Sequence, residues 1–115
     1  MRLSSVIRQL QHPRPESITV AGILYALADP VRAAIVRELR REKEEMNCSA
    51  TIGRINRNLP KSTCSQHFQI LREAGVISSK RKGAELVNSL RLDDLESRFP
   101  GLLGSILKSY EKENR

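Results

Sequence analysis

Aromatic residues are almost missing from this chain. It has no tryptophan, and Tyr25, Phe68, Phe99 and Tyr110 are the whole aromatic set. Binders of single-stranded nucleic acid stack bases on aromatic side chains, so that class is disfavoured from the outset. Cysteine is scarce too: Cys48 and Cys64 cannot make a disulfide framework and are expected to be reduced. No apolar run approaches bilayer-spanning length, and Arg8, Gln9, Gln11 and His12 break up the opening residues where a secretory leader would be apolar. The expectation is a soluble, cytoplasmic protein without membrane contact. Catalytic signatures are also lacking. No nucleophile–base pair, glycine-rich phosphate loop or paired carboxylates can be read, so an enzyme is not expected.

Positive charge is what the chain has in excess. Lys and Arg number 20 against 13 acidic residues, a net charge of +7. Such a balance favours polyanionic partners, nucleic acid before anionic membranes. With so few aromatics, double-stranded DNA is the preferred partner. A length of 115 residues fits one domain, spanning 1–115, with one modest core.

Hydrophobic spacing predicts a mainly α chain with a small β-hairpin. Leu3, Val6, Ile7 and Leu10 suit a short helix stopped by Pro13 and Pro15. A second helix is expected from Glu16 to Leu27, its apolar side holding Ile18, Ala21, Ile23, Leu24 and Leu27. Asp29-Pro30 is a cap followed by proline at the first helical position, opening a helix with Val31, Ile35 and Leu39 on one face. The charged run Arg40–Glu45 reads as a solvated helix end and loop. Ile52, Ile55 and Leu59 suggest a short helix, weakened by Gly53 at about 1 kcal/mol relative to alanine. The strongest helix follows Pro60 and runs to Ala74, where Gly75 ends it. Val76–Arg81 and Glu85–Leu92 then read as strands around Lys82-Gly83-Ala84. A last helical region opens at Asp93-Asp94, is interrupted by Pro100-Gly101, and carries Leu102, Leu103, Ile106, Leu107 and Tyr110 on one face.

On a helical wheel, Cys64, His67, Phe68, Leu71 and Ala74 gather on the side of the strongest helix that must pack. Ser62, Ser65, Gln66, Gln69 and Glu73 gather opposite, with Lys61 and Arg72 at the margin. Solvated helix faces are usually dominated by Lys and Glu. Here the middle is hydroxyl and amide, groups that can be desolvated against base edges and still be satisfied; glutamine suits a bidentate contact with adenine. Lys80, Arg81 and Lys82 cluster at the hairpin tip, placed to meet phosphates or a minor groove beside the reading helix.

Two stretches carry a family resemblance. Ala26-Leu27-Ala28-Asp29-Pro30-Val31-Arg32 resembles the "ALADPxR" opening of the ArsR/SmtB repressors. The run from Lys61 to Ile77 is similar to that family's "STxSxHxxxLRxAGxx" recognition helix. The resemblance covers about Ala21 to Leu92. It implies a winged helix-turn-helix, ordered α-α-α-α-β-β-α, that forms a homodimer on a palindromic operator and represses until an inducer releases it. Family members dimerise through their first and last helices, here about 1–28 and 93–112, which points to Ile18, Leu24, Leu102, Leu103, Ile106, Leu107 and Tyr110. Metal-sensing members carry Cys-x-Cys or late histidines. Here Cys48 is followed by Ser49-Ala50, and no histidine follows His67, so no metal or other cofactor is expected. His67 reads as a satisfied, half-buried histidine and Cys64 as a small core hydrophobe. Cys48, in a loop where a helix end could lower its pKa, is either a redox thiol or an incidental one. Two other functions stay open: a winged-helix protein-interaction module, and an architectural duplex binder without sequence preference. The inducer and the operator sequence are not readable from the residues.

Overall fold

In a computed structural model, the described residues are 10–42, 45–55 and 58–114. The helix expected around Leu3–Leu10 lies outside them, apart from Leu10, which belongs to no regular element. Six α-helices and a three-stranded antiparallel sheet follow in the order α1 (Val20–Leu27), α2 (Pro30–Arg41), β1 (Met46–Asn47), α3 (Cys48–Arg54), α4 (Lys61–Glu73), β2 (Ile77–Lys82), β3 (Glu85–Leu90), α5 (Leu92–Arg98) and α6 (Leu102–Glu113).

The helix expected from Glu16 starts only at Val20. Pro15–Ser17 forms a single 3-10 turn, and the Thr19 hydroxyl caps α1 by accepting from Gly22 N at 3.0 Å. Ile18 therefore sits in an extended link and plugs the core rather than joining a helix face. Asp29 caps α2 as its sequence predicts: Oδ1 accepts from Val31 N at 2.7 Å and Arg32 N at 3.2 Å, with Pro30 needing no partner for an N–H it lacks.

Gly75 fixes the passage from α4 to the sheet. It has φ +83°, its N–H donates to Arg72 O at 3.1 Å, and Val76 N donates to Leu71 O at 3.0 Å. This pair of bonds is a Schellman motif, which closes the helix while turning the chain. A Cβ at Gly75 would lie 2.6 Å from Ile18 Cγ1, so both the backbone and the packing require glycine. Beyond it, β2 and β3 pair from Ile77↔Leu90 to Lys82↔Glu85, leaving Gly83-Ala84 as a two-residue loop with Gly83 at φ +66°.

One strand escapes the sequence pattern. Met46-Asn47, just past the charged run, pairs with Asn88 and Val87, so the sheet order is β1-β3-β2. The core lies between the helices and the base of this sheet, with Phe68, Ile18, Ile23, Leu27, Ile35, Leu71, Ile77 and Leu95 fully buried. Leu103 and Leu107 of α6 also face this core, which they complete within the protomer.

The segment ahead of α1 is tied to the outer edge of the sheet. Ser79 N donates to His12 Nε2 at 2.9 Å, and Arg91 Nη1 donates to Pro13 O at 2.8 Å. Nε2 can accept only when unprotonated. Burial lowers the His12 pKa below 6.5; a bond to the Leu10 carbonyl opposes the shift, and the charges of Arg72 and Arg91 add to it. Folding thus favours neutral His12. The unfolded chain takes up a proton near its ordinary pKa while the folded chain resists, so this contribution is complete above that pKa and is lost as pH falls through the lower, folded value. Melting midpoints taken from about pH 7.5 down to about pH 5 should fall less steeply in His12→Gln than in the parent. Parallel slopes would show that His12 is not coupled to folding.

Candidate nucleic-acid interface

The exposed face of α4 is set by what holds its other side. Phe68 and Leu71 are fully buried, and Cys64 is buried beside them as the small hydrophobe expected. Lys61, Ser62, Ser65, Gln66 and Gln69 are exposed together on the opposite side. Gln69 Nε2 donates to Glu73 Oε2 at 3.0 Å, one turn along the same face. No acidic residue stands in the first turn, where Lys61 sits, so no carboxylate of that turn offsets the positive end of the helix dipole.

Arg72 departs from its expected place at the margin of that face. It is half-buried, and its Nε donates to Ser79 Oγ at 2.9 Å, locking the end of α4 to β2. Ser79 Oγ in turn donates to Asn88 Oδ1 at 2.6 Å, and Asn88 Nδ2 donates to Met46 O at 3.3 Å. Ser79 and Asn88 are buried register partners, so these bonds form a polar rung through all three strands. Arg72 therefore ties helix to wing, a role set by tertiary packing that a helical wheel does not show.

Arg32 anchors α4 from the other side. Its buried guanidinium donates from Nε to Ala26 O at 2.7 Å and from Nη2 to Tyr25 O at 3.4 Å, at the carbonyl end of α1. Nη1 lies 3.3 Å from His67 Nδ1 on α4. Arginine offers only donors, so this contact uses the lone pair on Nδ1 and leaves the ring proton on Nε2. His67 is half-buried and satisfied, as its position on the packing side implied.

The wing's three cations are exposed but not equivalent. Lys80 Nζ is 2.8 Å from Glu45 Oε2, and Lys82 Nζ is 3.6 Å from Glu45 Oε1. Arg81, on the opposite face of β2, has no acidic partner among the described residues. The reading of Arg40–Glu45 as merely solvated missed Glu45 in this role. Its only signal was an acid followed at once by the apolar Met46.

Cys48 is not an exposed loop thiol. It is the first residue of α3, half-buried, with Asn88 Nδ2 3.7 Å from Sγ. Burial pushes its pKa up, outweighing the Asn88 hydrogen bond and the nearby Arg72 charge. A low-pKa redox thiol is the reverse of this environment. Among the described residues, no three His, Cys, Asp or Glu side chains gather as metal ligands would, and no helix is long and apolar enough to cross a membrane.

A family described as a helix-turn-helix domain matches residues 27–79, from the end of α1 into β2. The chain is 35% identical over 86 residues to the uncharacterized HTH-type transcriptional regulator YceK of Bacillus subtilis, a match covering 75% of this chain and 84% of that protein. It is 39% identical over 79 residues to the HTH-type transcriptional repressor SmtB of Mycobacterium tuberculosis, covering 68% of this chain and 56% of SmtB's length. The chain belongs to the ArsR/SmtB family of winged helix-turn-helix transcriptional regulators. The crystal structure of the transcriptional repressor PagR of Bacillus anthracis superposes with a TM-score of 0.55 at 31% identity, covering 75% of this chain and 86% of PagR. DNA-binding regulation of transcription, and not catalysis, is the activity of this family.

The raised Cys48 pKa has a direct consequence for thiol chemistry. At neutral pH the thiolate is scarce, so iodoacetamide should modify Cys48 more slowly than a free cysteine, and mild peroxide should leave duplex affinity unchanged. Rapid alkylation of Cys48 in the folded protein would contradict the burial described here.

Proposed function

We propose that this family member is a homodimer that binds a palindromic operator in double-stranded DNA and represses transcription until an inducer releases it. The observation that carries the sequence-specific part is the exposed amide and hydroxyl face of α4. Arg32, the Schellman turn at Gly75 and the Arg72–Ser79 bond all hold that face outward. Gln66, with Ser62, Ser65 and Gln69, reads base edges in the major groove, and Lys61 meets phosphate at the helix start. The wing meets phosphates or a narrow minor groove, with Arg81 as its principal contact. SmtB and PagR, both described as repressors, favour repression as the mode.

Gln66→Ala should lose about 1–3 kcal/mol on the operator and almost nothing on random duplex. Arg81→Ala should weaken both and make the salt dependence shallower by about one unit of slope. Titrations of both variants at several salt concentrations decide the matter. If Gln66→Ala weakens random duplex as much as operator, the face does not read bases.

Dimerisation draws on a different set of side chains. Ile18, Leu103 and Leu107 were expected to take part, but they are buried within the protomer and have no surface to offer a second copy. What α1 does offer is Val20, Leu24 and Tyr25, the exposed large hydrophobics among the described residues. Leu102, Ile106 and Tyr110 on α6 are half-buried, and the Tyr110 hydroxyl is already bonded to Leu27 O. Val20 and Leu24, four residues apart, share one side of α1, and exposed apolar surface of this kind supports an interface there. Leu24, 48% exposed, is its best probe, because replacing it leaves the protomer core intact. Leu24→Glu should sediment as a folded monomer and lose at least about tenfold in operator affinity. A Leu24→Glu protein that remains dimeric would place the interface elsewhere.

A further inference from the structure

The wing carries Lys80, Arg81 and Lys82, and on the sequence these form one block of three charges. The fold divides them. Side chains alternate along a strand, so Lys80 and Lys82 share one face of β2 and Arg81 points to the other. Glu45, one residue ahead of β1, reaches the face with the two lysines and gives each of them one carboxylate oxygen, at 2.8 and 3.6 Å. Its placement is not left to a loose loop. Met46 and Asn47 are paired to Asn88 and Val87, and Asn47 Nδ2 donates to Glu85 Oε1 on the neighbouring β3. The Glu45 carboxyl is held below its ordinary pKa, chiefly by its hydrogen bond from Lys80, which favours the ionised form.

A carboxylate beside two ammonium groups competes for them with a DNA phosphate oxygen. We propose that Glu45 is a specificity-determining residue, which withholds the wing lysines from indiscriminate phosphate contact and leaves Arg81 as the wing's presented charge. The inference rests on the reading of the wing as a DNA-contacting element. Protein on random duplex slides along the backbone and takes whatever phosphate comes within reach, so lysines freed from Glu45 add most to that binding. On the operator, base contacts from α4 fix the register, and a lysine cannot shift to seek a phosphate. Releasing the lysines therefore raises random binding more than operator binding, and the ratio between them falls.

The test uses the full chain and two duplexes, operator and random, titrated across a range of salt. Glu45→Gln keeps the size and hydrogen-bonding shape of the side chain but removes its charge. It should bind random duplex about tenfold more tightly near 0.1 M salt, with a salt dependence steeper by about one to two units of slope. Glu45→Asp keeps the charge and shortens the reach, so it should move random binding the same way by a smaller factor. The gain should vanish when Lys80→Ala and Lys82→Ala are added to Glu45→Gln. Arg81→Ala guards the underlying reading: if it changes binding to neither duplex, the wing does not contact DNA. If Arg81→Ala weakens binding while neither Glu45 variant raises random-duplex affinity, Glu45 does not restrain the wing. A gain that survives loss of both lysines overturns the proposal as well, since it then reports only one fewer negative charge.

Discussion

Burying a guanidinium is costly unless it is hydrogen-bonded, and each of the three nitrogens of Arg32 finds a partner by joining parts of the chain that would otherwise be independent. Two carbonyls at the end of α1 accept from it, Asp29 stands 3.8 Å away, and His67 lies within reach on α4. The planar fork of arginine suits this divergent set, where a lysine ammonium would cover one direction at a time. Three consequences follow from the one residue. The C-terminal carbonyls of α1 are neutralised, the Asp29 cap is set beside the charge it favours, and α4 is fixed relative to α1. The apolar patch of Val20, Leu24 and Tyr25 lies on that same α1. α1 and α4 are thus joined by a hydrogen-bonded side chain as well as by packing.

A second polar element serves the wing. Arg72, Ser79 and Asn88 bond in series from α4 to the Met46 carbonyl, with Ser79 and Asn88 removed from water. Such a network is stabilising only while complete, because each buried polar group left alone costs about 1–3 kcal/mol. That asymmetry favours one wing position over a family of near equivalents. An apolar pair at Ser79 and Asn88 could supply comparable burial, but without direction. The tie from His12 to Ser79 N adds a third constraint at the same rung, on the sheet edge where a backbone donor would otherwise be exposed.

Local chemistry made much of this fold legible beforehand. Asp29-Pro30, Gly75 and Gly83 specify backbone geometry over a few residues, and each does what its type and position require. The contrast between the two sides of α4 was equally readable, since a 3.6-residue period separates packed from exposed positions within one helix. What could not be read was long-range. β1 is two residues long and pairs with a strand some forty residues away, so no period within Met46-Asn47 announces it. Ile18, Leu103 and Leu107 show the complementary limit. An apolar stripe says that a side chain leaves water, but not whether its own protomer or a second copy covers it. Arg72 and Cys48 were misplaced for the same reason, because Ser79 and Asn88, which capture them, lie on other elements.

The charge pattern gains its meaning only when both levels are combined. A net charge of +7 would by itself make a protein that clings to any duplex, and counterion release would supply affinity without discrimination. Selective binding needs that general attraction to be modest where register is not yet found. The proposed function draws on the structure for this at two places. The centre of the α4 face is neutral, so under the proposed function its contribution depends on hydrogen-bond pattern and disappears on mismatched bases. On the wing, one carboxylate engages two of the three cations. On the proposed reading, recognition depends less on how much positive charge the chain carries than on how much of it the fold leaves free.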